Sequence, residues 1–287
     1  MKVLVLGANG QLGYEFSNFL KDKAEVFAFS HNEFNILDFT KLVNKFYEIS
    51  PDVVINCVAY TKVDQAEKEQ DLAYQVNAIG AKNVSFASFK VKAKVVYFST
   101  DYVFDGTKGY PYNEFDKPNP ISIYGKSKLL GEVYTEEHNP NHLILRISWL
   151  YGINGSNFVK TIIKLSKEKG ELKVVNDQIG TPTYTLDVVK QTWKLIQNDI
   201  VGLYHSSNTG QTTWFEFAKR IVEKLNISVK VLPIKTDEFP ALAERPTFSV
   251  LDNYLLKLKN KNIMQNWEEA FDEFVTKYKM KLLNGGF

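Results

Sequence analysis

The chain has 287 residues, of which 44% are hydrophobic and 24% charged; this is the composition of an ordinary folded protein and excludes disordered, collagen-like and coiled-coil classes. With 35 Lys plus Arg against 33 Asp plus Glu the formal charge is +2, so no nucleic-acid partner is expected. The lone Cys57 excludes an internal disulfide, and at roughly 100 to 200 residues per domain the chain can bury a core without staples.

The first apolar run, Val3-Leu4-Val5-Leu6, is too short for a signal segment, and no later run approaches the ~18 residues that cross a bilayer. A cytoplasmic protein without a membrane partner is therefore expected. Short β-branched runs then alternate with stretches of helical period, the pattern of βαβ units. Strands are expected at Lys2 to Leu6, Val26 to Phe29, Val53 to Asn56, Val95 to Ser99 and Leu143 to Ile147. Val53-Val54-Ile55 and Val95-Val96-Tyr97-Phe98 are apolar without alternation, as in strands covered on both faces. Helices are expected at Leu12 to Leu20, Phe39 to Ile49, Asp71 to Phe89 and Ile123 to Glu137.

After Trp149 the rhythm changes. A helix from about Asn157 to Lys169, a strand near Leu172 to Val175 and a break at Gly180-Thr181-Pro182-Thr183 precede helices at Asp187 to Gln197 and Thr213 to Leu225. Thr213 and Glu216 form a capping-box signature. Pro233, Pro240 and Pro246 punctuate a loop-rich stretch that ends in a helix from Trp267 to about Leu283. The expected fold is a Rossmann-type, doubly wound parallel sheet with a smaller C-terminal substrate-binding lobe over the strand ends. Residues 1–150, with about 184–228, would form the NAD(P)-binding domain; about 151–183 and 229–287 would form the lobe.

Gly7-Ala8-Asn9-Gly10-Gln11-Leu12-Gly13 follows the first strand and opens the first helix. Glycines there let the backbone turn tightly and approach a pyrophosphate, which the helix N-terminus binds; such a turn also occurs without a ligand. The second strand ends Phe29-Ser30-His31, without the carboxylate that holds a ribose 2′-hydroxyl in NAD-preferring folds. Ser30 and His31 could meet a 2′-phosphate, which makes NADPH plausible, or form a solvated turn. Asp38 before Phe39 is a helix N-cap, an adenine contact, or both.

Tyr124 and Lys128 stand at i and i+4, one turn apart on a helix face, where an ammonium favours a phenolate. Either the pair is an acid/base device or it is a surface accident in a chain with 15 Tyr. Ser99-Thr100-Asp101-Tyr102-Val103-Phe104-Asp105-Gly106 follows a buried strand and puts Thr100 at its carboxyl end, so a hydroxyl, a phenol and an ammonium converge. The histidines, His31, His138, His142 and His205, show no metal-binding spacing, and no metal site is expected.

These motifs, with Asn56-Cys57-Val58-Ala59-Tyr60-Thr61-Lys62-Val63-Asp64, Arg146-Ile147-Ser148-Trp149-Leu150-Tyr151-Gly152 and Asp177-Gln178-Ile179-Gly180-Thr181-Pro182-Thr183, cover nearly the whole chain. In this order they resemble the dTDP-4-dehydrorhamnose reductase family of the extended short-chain dehydrogenase/reductase superfamily. The resemblance implies an oxidoreductase acting on a nucleotide sugar with NADPH or NADH. Gly7, Gly10, Gln11, Leu12 and Gly13 would line the pyrophosphate, Asp38 and Phe39 the adenine, and Ala59, Tyr60 and Thr61 the ribose side. Tyr124 would donate the proton, Lys128 would support it on the nicotinamide ribose, and Thr100 would bind the same oxygen. Thr100, Asp101 and Tyr102 would hold the sugar, with Trp149 packed against it unless that ring is core. Arg245 would anchor a nucleotide phosphate or lie at the surface, and Asn157 would only start a helix.

Some family members are described as magnesium-bridged dimers using surface glutamates. Glu15 matches one of these without clear companions, so magnesium, and a monomer or a homodimer, stay open. Other nucleotide-sugar ketoreductases and epimerases share the same groups. A dehydratase carries Asp-Glu after the threonine, where this chain has Asp101-Tyr102. A non-catalytic NADP-binding regulatory subunit is the rival from another class.

Overall fold

The computed structural model describes residues 1–284. The chain order is β1 (Lys2–Leu6), α1 (Gln11–Leu20), β2 (Glu25–Phe29), α2 (Phe39–Ile49), β3 (Val53–Asn56), α3 (Val63–Ala66), α4 (Gln70–Tyr74), a π-helical turn (Gln75–Ile79), α5 (Gly80–Lys90) and β4 (Lys94–Thr100). There follow α6 (Ile123–His138), β5 (His142–Ile147), β6 (Leu150–Tyr151), α7 (Phe158–Glu168), β7 (Glu171–Val175), β8 (Ile179–Gly180), β9 (Thr183–Tyr184), α8 (Thr185–Gln197) and β10 (Gly202–His205). The rest is β11 (Thr212–Thr213), α9 (Trp214–Leu225), β12 (Lys230–Ile234), α10 (Tyr254–Leu258) and α11 (Trp267–Leu283).

Six strands form one parallel sheet in the order β10-β5-β4-β3-β1-β2. From β1 the chain winds to β2 on one side and to β3, β4, β5 and β10 on the other. The reversal places a crevice outside the carboxyl ends of β1 and β3, where open α/β sheets bind ligands. Side chains alternate across each strand, and both faces are covered. Val3 and Val5 pack with Leu12, Phe16 and Leu20 of α1 and Val188 and Val189 of α8. Leu4 and Leu6 point the other way, onto Leu42 and Phe46 of α2 and Val84 and Ala87 of α5.

A second core lies beside the sheet. Val159, Ile162 and Ile163 of α7, Phe217 and Ile221 of α9, and Phe271 and Phe274 of α11 meet Leu172 and Val174 of β7. The apolar face of α9 thus belongs to this second core, whereas α8 packs on the sheet with Trp193 and Ile196, so the stretch 184–228 divides between the two. Three features were not foreseen. β10 adds a sixth strand, β12 pairs in parallel with β7 across Pro233, and the helix expected from Asp71 to Phe89 is interrupted by the π-helical turn. Among the described residues no helix is long and apolar enough to cross a membrane.

Candidate active site

The glycine turn is fixed by short bonds between neighbouring backbones. Phe29 O accepts from the N–H groups of Gly7 and Ala8 (2.9 and 3.0 Å), and Gly7 O accepts from Gly10 N (2.9 Å). Gly7 has a φ of 78°, and a Cβ on Gly13 would lie 2.1 Å from Gly7 O, so α1 sits directly against the turn. Gly10, at the N-cap of α1, has no side chain to occupy the first amides of the helix, the arrangement that helix starts use to bind anions. The segment between β6 and α7 braces this turn: Asn154 Nδ2 donates to Asn9 O (2.7 Å) and Asn157 Nδ2 to Gln11 Oε1 (3.1 Å). Asn157 also caps α7 by accepting from Lys160 N, so it does more than start a helix.

A cleft of about 590 Å³ opens from this turn along the carboxyl ends of β3, β4 and β5. Gly10, Gln11 and Leu12 line one end, Cys57, Ala59 and Thr61 the side, and Thr100, Asp101, Tyr124, Lys128 and Trp149 the other end. The expected convergence of hydroxyl, phenol and ammonium is therefore present in space.

Thr100 ends β4, its Oγ1 donating to Asp101 Oδ1 (3.0 Å) and accepting from Tyr102 N (3.2 Å). Burial pushes the Tyr124 phenol up to about 12, with the Thr100 hydroxyl opposing and the Asp101 charge adding to the shift. Lys128, 2% exposed, lies 4.0 Å above the Tyr97 ring. Burial pulls its ammonium down to about 7, while Glu132 and Cys57 draw it back up. Burial also raises the Asp101 carboxyl to about 7, against hydrogen bonds from Ser249 and Thr100.

Behind Lys128, one turn along α6, Glu132 accepts from Arg146 Nε (2.9 Å) and Nη2 (2.7 Å) and from the Ser99 hydroxyl. Ser99, Arg146 and His205 face one another across β4, β5 and β10. Burial, with the nearby Arg146 charge, lowers the His205 imidazole to about 3. Its neutral Nδ1 lies 3.1 Å from both Tyr112 O and Asp252 O, which ties the loops at Tyr112 and Asp252 to the sheet.

Asn77, in the π-helical turn, supports the cleft from behind its lining, and the sequence pattern did not expose it. Its Oδ1 accepts from Tyr60 N (2.8 Å), and its Nδ2 donates to Tyr60 O (3.1 Å) and to Ser127 Oγ (3.0 Å). It therefore holds the 59–61 loop to the helix that carries Tyr124. A π turn is a common device for re-aiming one side chain at a functional site, and its hydrogen-bond signature has no periodic trace in a single sequence.

The remaining expected residues divide. Asp38 caps α2 by accepting from Lys41 N (3.2 Å), beside the exposed Phe39. The Tyr60 hydroxyl donates to Glu69 (2.7 Å), and Tyr60 is absent from the cleft lining. Tyr102 does not line the cleft; its ring packs edge-on to Tyr124 with centroids 5.8 Å apart. Arg245 also stands outside the cleft lining, its Nη1 and Nη2 on the Asp64 carboxylate at 3.1 and 2.6 Å. Ser30 is buried, and both its N–H and its hydroxyl donate to Glu33. Glu15 is buried rather than at the surface, accepting from the Thr185 hydroxyl at 3.2 Å. Among the described residues no group of three or more His, Cys, Asp or Glu could hold a metal ion.

The chain is similar to known proteins over nearly its whole length. Residues 1–280 match the family model described as RmlD substrate binding domain. The spore coat polysaccharide biosynthesis protein SpsK of Bacillus subtilis is 42% identical over 275 residues, 96% of each chain. A crystal structure of a dTDP-4-dehydrorhamnose reductase from Clostridium acetobutylicum superposes with a TM-score of 0.95 at 46% identity, covering 98% of this chain and 100% of that one. A dTDP-4-dehydrorhamnose reductase from Bacillus anthracis, solved in complex with NADP, gives 0.94 at 47% identity over 96% and 99%. The chain belongs to the family of RmlD-type proteins, the dTDP-4-dehydrorhamnose reductase family.

Proposed function

We propose that this protein is an NAD(P)H-dependent oxidoreductase that reduces the 4-keto group of dTDP-4-dehydro-6-deoxy-L-mannose to give dTDP-L-rhamnose. The observation that carries this is the meeting of Thr100, Tyr124 and Lys128 in one cleft that begins at an uncapped helix N-terminus. The close-packed Gly7-to-Gly13 turn and the first amides of α1, which no side chain caps, fit a dinucleotide pyrophosphate. Either reduced nicotinamide, bound there, supplies hydride to the sugar carbonyl carbon.

The chain's own residues supply position and a proton. Tyr124 is held protonated by burial, so it can give its proton to the carbonyl oxygen as negative charge develops there. Thr100 directs a hydroxyl to the same oxygen, and Lys128 stabilises the phenolate that remains and orients the neighbouring ribose. Asp101 contacts the sugar beside Thr100, and the Trp149 ring offers it an apolar face. The sheet with α1, α2, α5, α6 and α8 carries the dinucleotide, and the second core with the loops around 240–252 carries the sugar nucleotide.

The test is the fall of reduced-nicotinamide absorbance when purified protein meets the keto-sugar nucleotide, kept supplied by its epimerase, with NADPH or NADH. Oxidation that depends on substrate and is lost in Tyr124→Phe is the expected result. Cofactor binding without oxidation would exclude this sugar and favour another keto-sugar or a regulatory role.

A further inference from the structure

We infer that Asn157 and Phe158 are positioning residues that couple the two ends of the cleft, so that a dinucleotide bound at the glycine turn and a sugar nucleotide bound at Trp149 each strengthen the binding of the other. This rests on the function proposed above. At its glycine-turn end the cleft has two walls from distant parts of the chain. Gly10, Gln11 and Leu12 form one, and Gly155, Ser156 and Asn157, just before α7, form the other. A dinucleotide seated there meets both.

Side-chain amides join the two walls. Asn154 Nδ2 reaches Asn9 O and Gly10 O (2.7 and 3.3 Å), and Asn157 Nδ2 reaches Gln11 Oε1 (3.1 Å). The second wall is stiff in itself. The other hydrogen of Asn157 Nδ2 goes to Gly152 O (2.8 Å), its Oδ1 accepts from Lys160 N (3.2 Å), and Lys160 Nζ donates to Gly155 O (2.8 Å). The segment and the first turn of α7 therefore move together, and a shift of Asn157 against Gln11 carries Phe158 with it.

Phe158 leads to the sugar end. Its ring centroid lies 4.5 Å from that of Trp214, and Trp214 stacks on Trp149, which lines the far end of the cleft. Side chains packed this closely transmit a displacement rather than absorb it. A dinucleotide that contacts both walls favours the arrangement with Asn157 on Gln11. The same arrangement sets Phe158 against Trp214 and so fixes the Trp149 ring. A sugar packed on Trp149 favours that arrangement from the other end. Two ligands that stabilise one arrangement tighten each other by the same factor.

The experiment is titration of NADPH, read by nicotinamide fluorescence, with and without dTDP-L-rhamnose, a pair that cannot react because both are already reduced. It is run on wild type, Asn157→Ser and Phe158→Leu. Serine keeps a capping hydroxyl for α7 but is too short to reach Gln11, and leucine keeps apolar bulk without the ring; melting temperatures check that both variants fold. The sugar nucleotide is expected to lower the NADPH dissociation constant of wild type about tenfold, and that of either variant by less than about twofold. A merely structural role for the two residues would weaken each ligand alone and leave this ratio unchanged. A ratio near one in wild type, or an undiminished ratio in Asn157→Ser or in Phe158→Leu, overturns the inference. Calorimetry of dTDP-L-rhamnose alone tells the two failures apart. Sugar nucleotide that binds without affecting NADPH overturns the coupling only, whereas sugar nucleotide that does not bind overturns the proposed substrate with it.

Discussion

The indole rings of Trp149 and Trp214 stack face to face, with centroids 3.4 Å apart and planes within 6°. Trp149 lines the cleft, whereas Trp214, the first residue of α9, stands behind it. Trp149 holds a φ of 41°, an unusual conformation for a bulky residue, and Gly180 lies against its ring. A Cβ on Gly180 would fall 2.3 to 2.6 Å from atoms of that indole.

Gly180→Ala is therefore expected to displace Trp149 or strain β8, at a cost of about 1–3 kcal/mol. The KM for the sugar nucleotide should rise severalfold while the dissociation constant for the dinucleotide stays within twofold. Trp214→Ala should raise the same KM and also abolish the exciton signal of the stacked pair in circular dichroism. An unchanged KM in both variants would separate the stack from substrate binding.

Glu132 and Arg146 form a bidentate pair with side chains only 5% and 4% exposed. Removing one partner strands a buried charge, so Glu132→Ala should cost about 3–5 kcal/mol, measured by urea denaturation. Replacing both with apolar residues should recover much of that loss. Since Glu132 also faces Lys128 and Ser99, the double variant is expected to regain stability faster than it regains turnover. Full recovery of both would show that the pair has no bearing on the catalytic side chains.

How far the sequence revealed this protein depends on the range of the interactions involved. β1, β3, β4 and β5 stood out because uninterrupted apolar runs such as Val53-Val54-Ile55 have few other uses in a polar chain. β10 is only Gly202-Leu203-Tyr204-His205, half-buried at its start and on the sheet edge, with too little pattern to register. β12 contains Pro233, which reads as a loop signal but is tolerated in a two-stranded pair at the periphery. Tyr124 and Lys128 were legible because one helical turn brings them together, and Thr100 because a strand end does. The Arg245 contact with Asp64 was hidden because the two are 181 residues apart and only the tertiary fold joins them.

Lys128 makes stability depend on pH above neutrality. Burial holds its folded-state value at about 7, against about 10.4 in the unfolded chain. Between these values the unfolded state binds the proton that the folded state has shed, so stability rises with pH from about 7 to about 10.4. Lys128→Met should flatten that rise in denaturation midpoints of the cofactor-free protein. Superimposable profiles would show that the folded chain does not depress the ammonium.

Asp101 gives the opposite sign on the acid side. Its carboxyl is raised to about 7, above the ~3.9 of an unfolded aspartate. The folded state then binds the extra proton, and stability falls as pH rises between the two. His205, depressed to about 3, works the other way through part of this window. The quantity to measure is therefore the difference between wild type and Asp101→Asn, which should grow in the variant's favour from pH 4 to 7. A constant difference would mean that Asp101 is ionised throughout.

The segment around 240–246 is held over the sheet by one carboxylate. Asp64 Oδ1 accepts from Leu242 N (3.0 Å), Ala243 N (3.0 Å) and Arg245 Nη1 (3.1 Å), while Oδ2 accepts from Nη2 (2.6 Å). Its side chain is 42% exposed, so solvent screens the pair and global stability should change by no more than ~1 kcal/mol on Asp64→Ala. The local effect should be larger, because two backbone donors and a guanidinium lose their shared acceptor at once. Amide exchange at Leu242 and Ala243 is expected to accelerate about tenfold or more in Asp64→Ala. It should accelerate less in Arg245→Met, where both backbone bonds to Asp64 persist. If Arg245 leaves Asp64 to meet a nucleotide phosphate, sugar-nucleotide binding to wild type should itself speed exchange at these two amides. Slower exchange on binding would show instead that the Asp64 clamp stays shut and that Arg245 acts as a strut for the lobe.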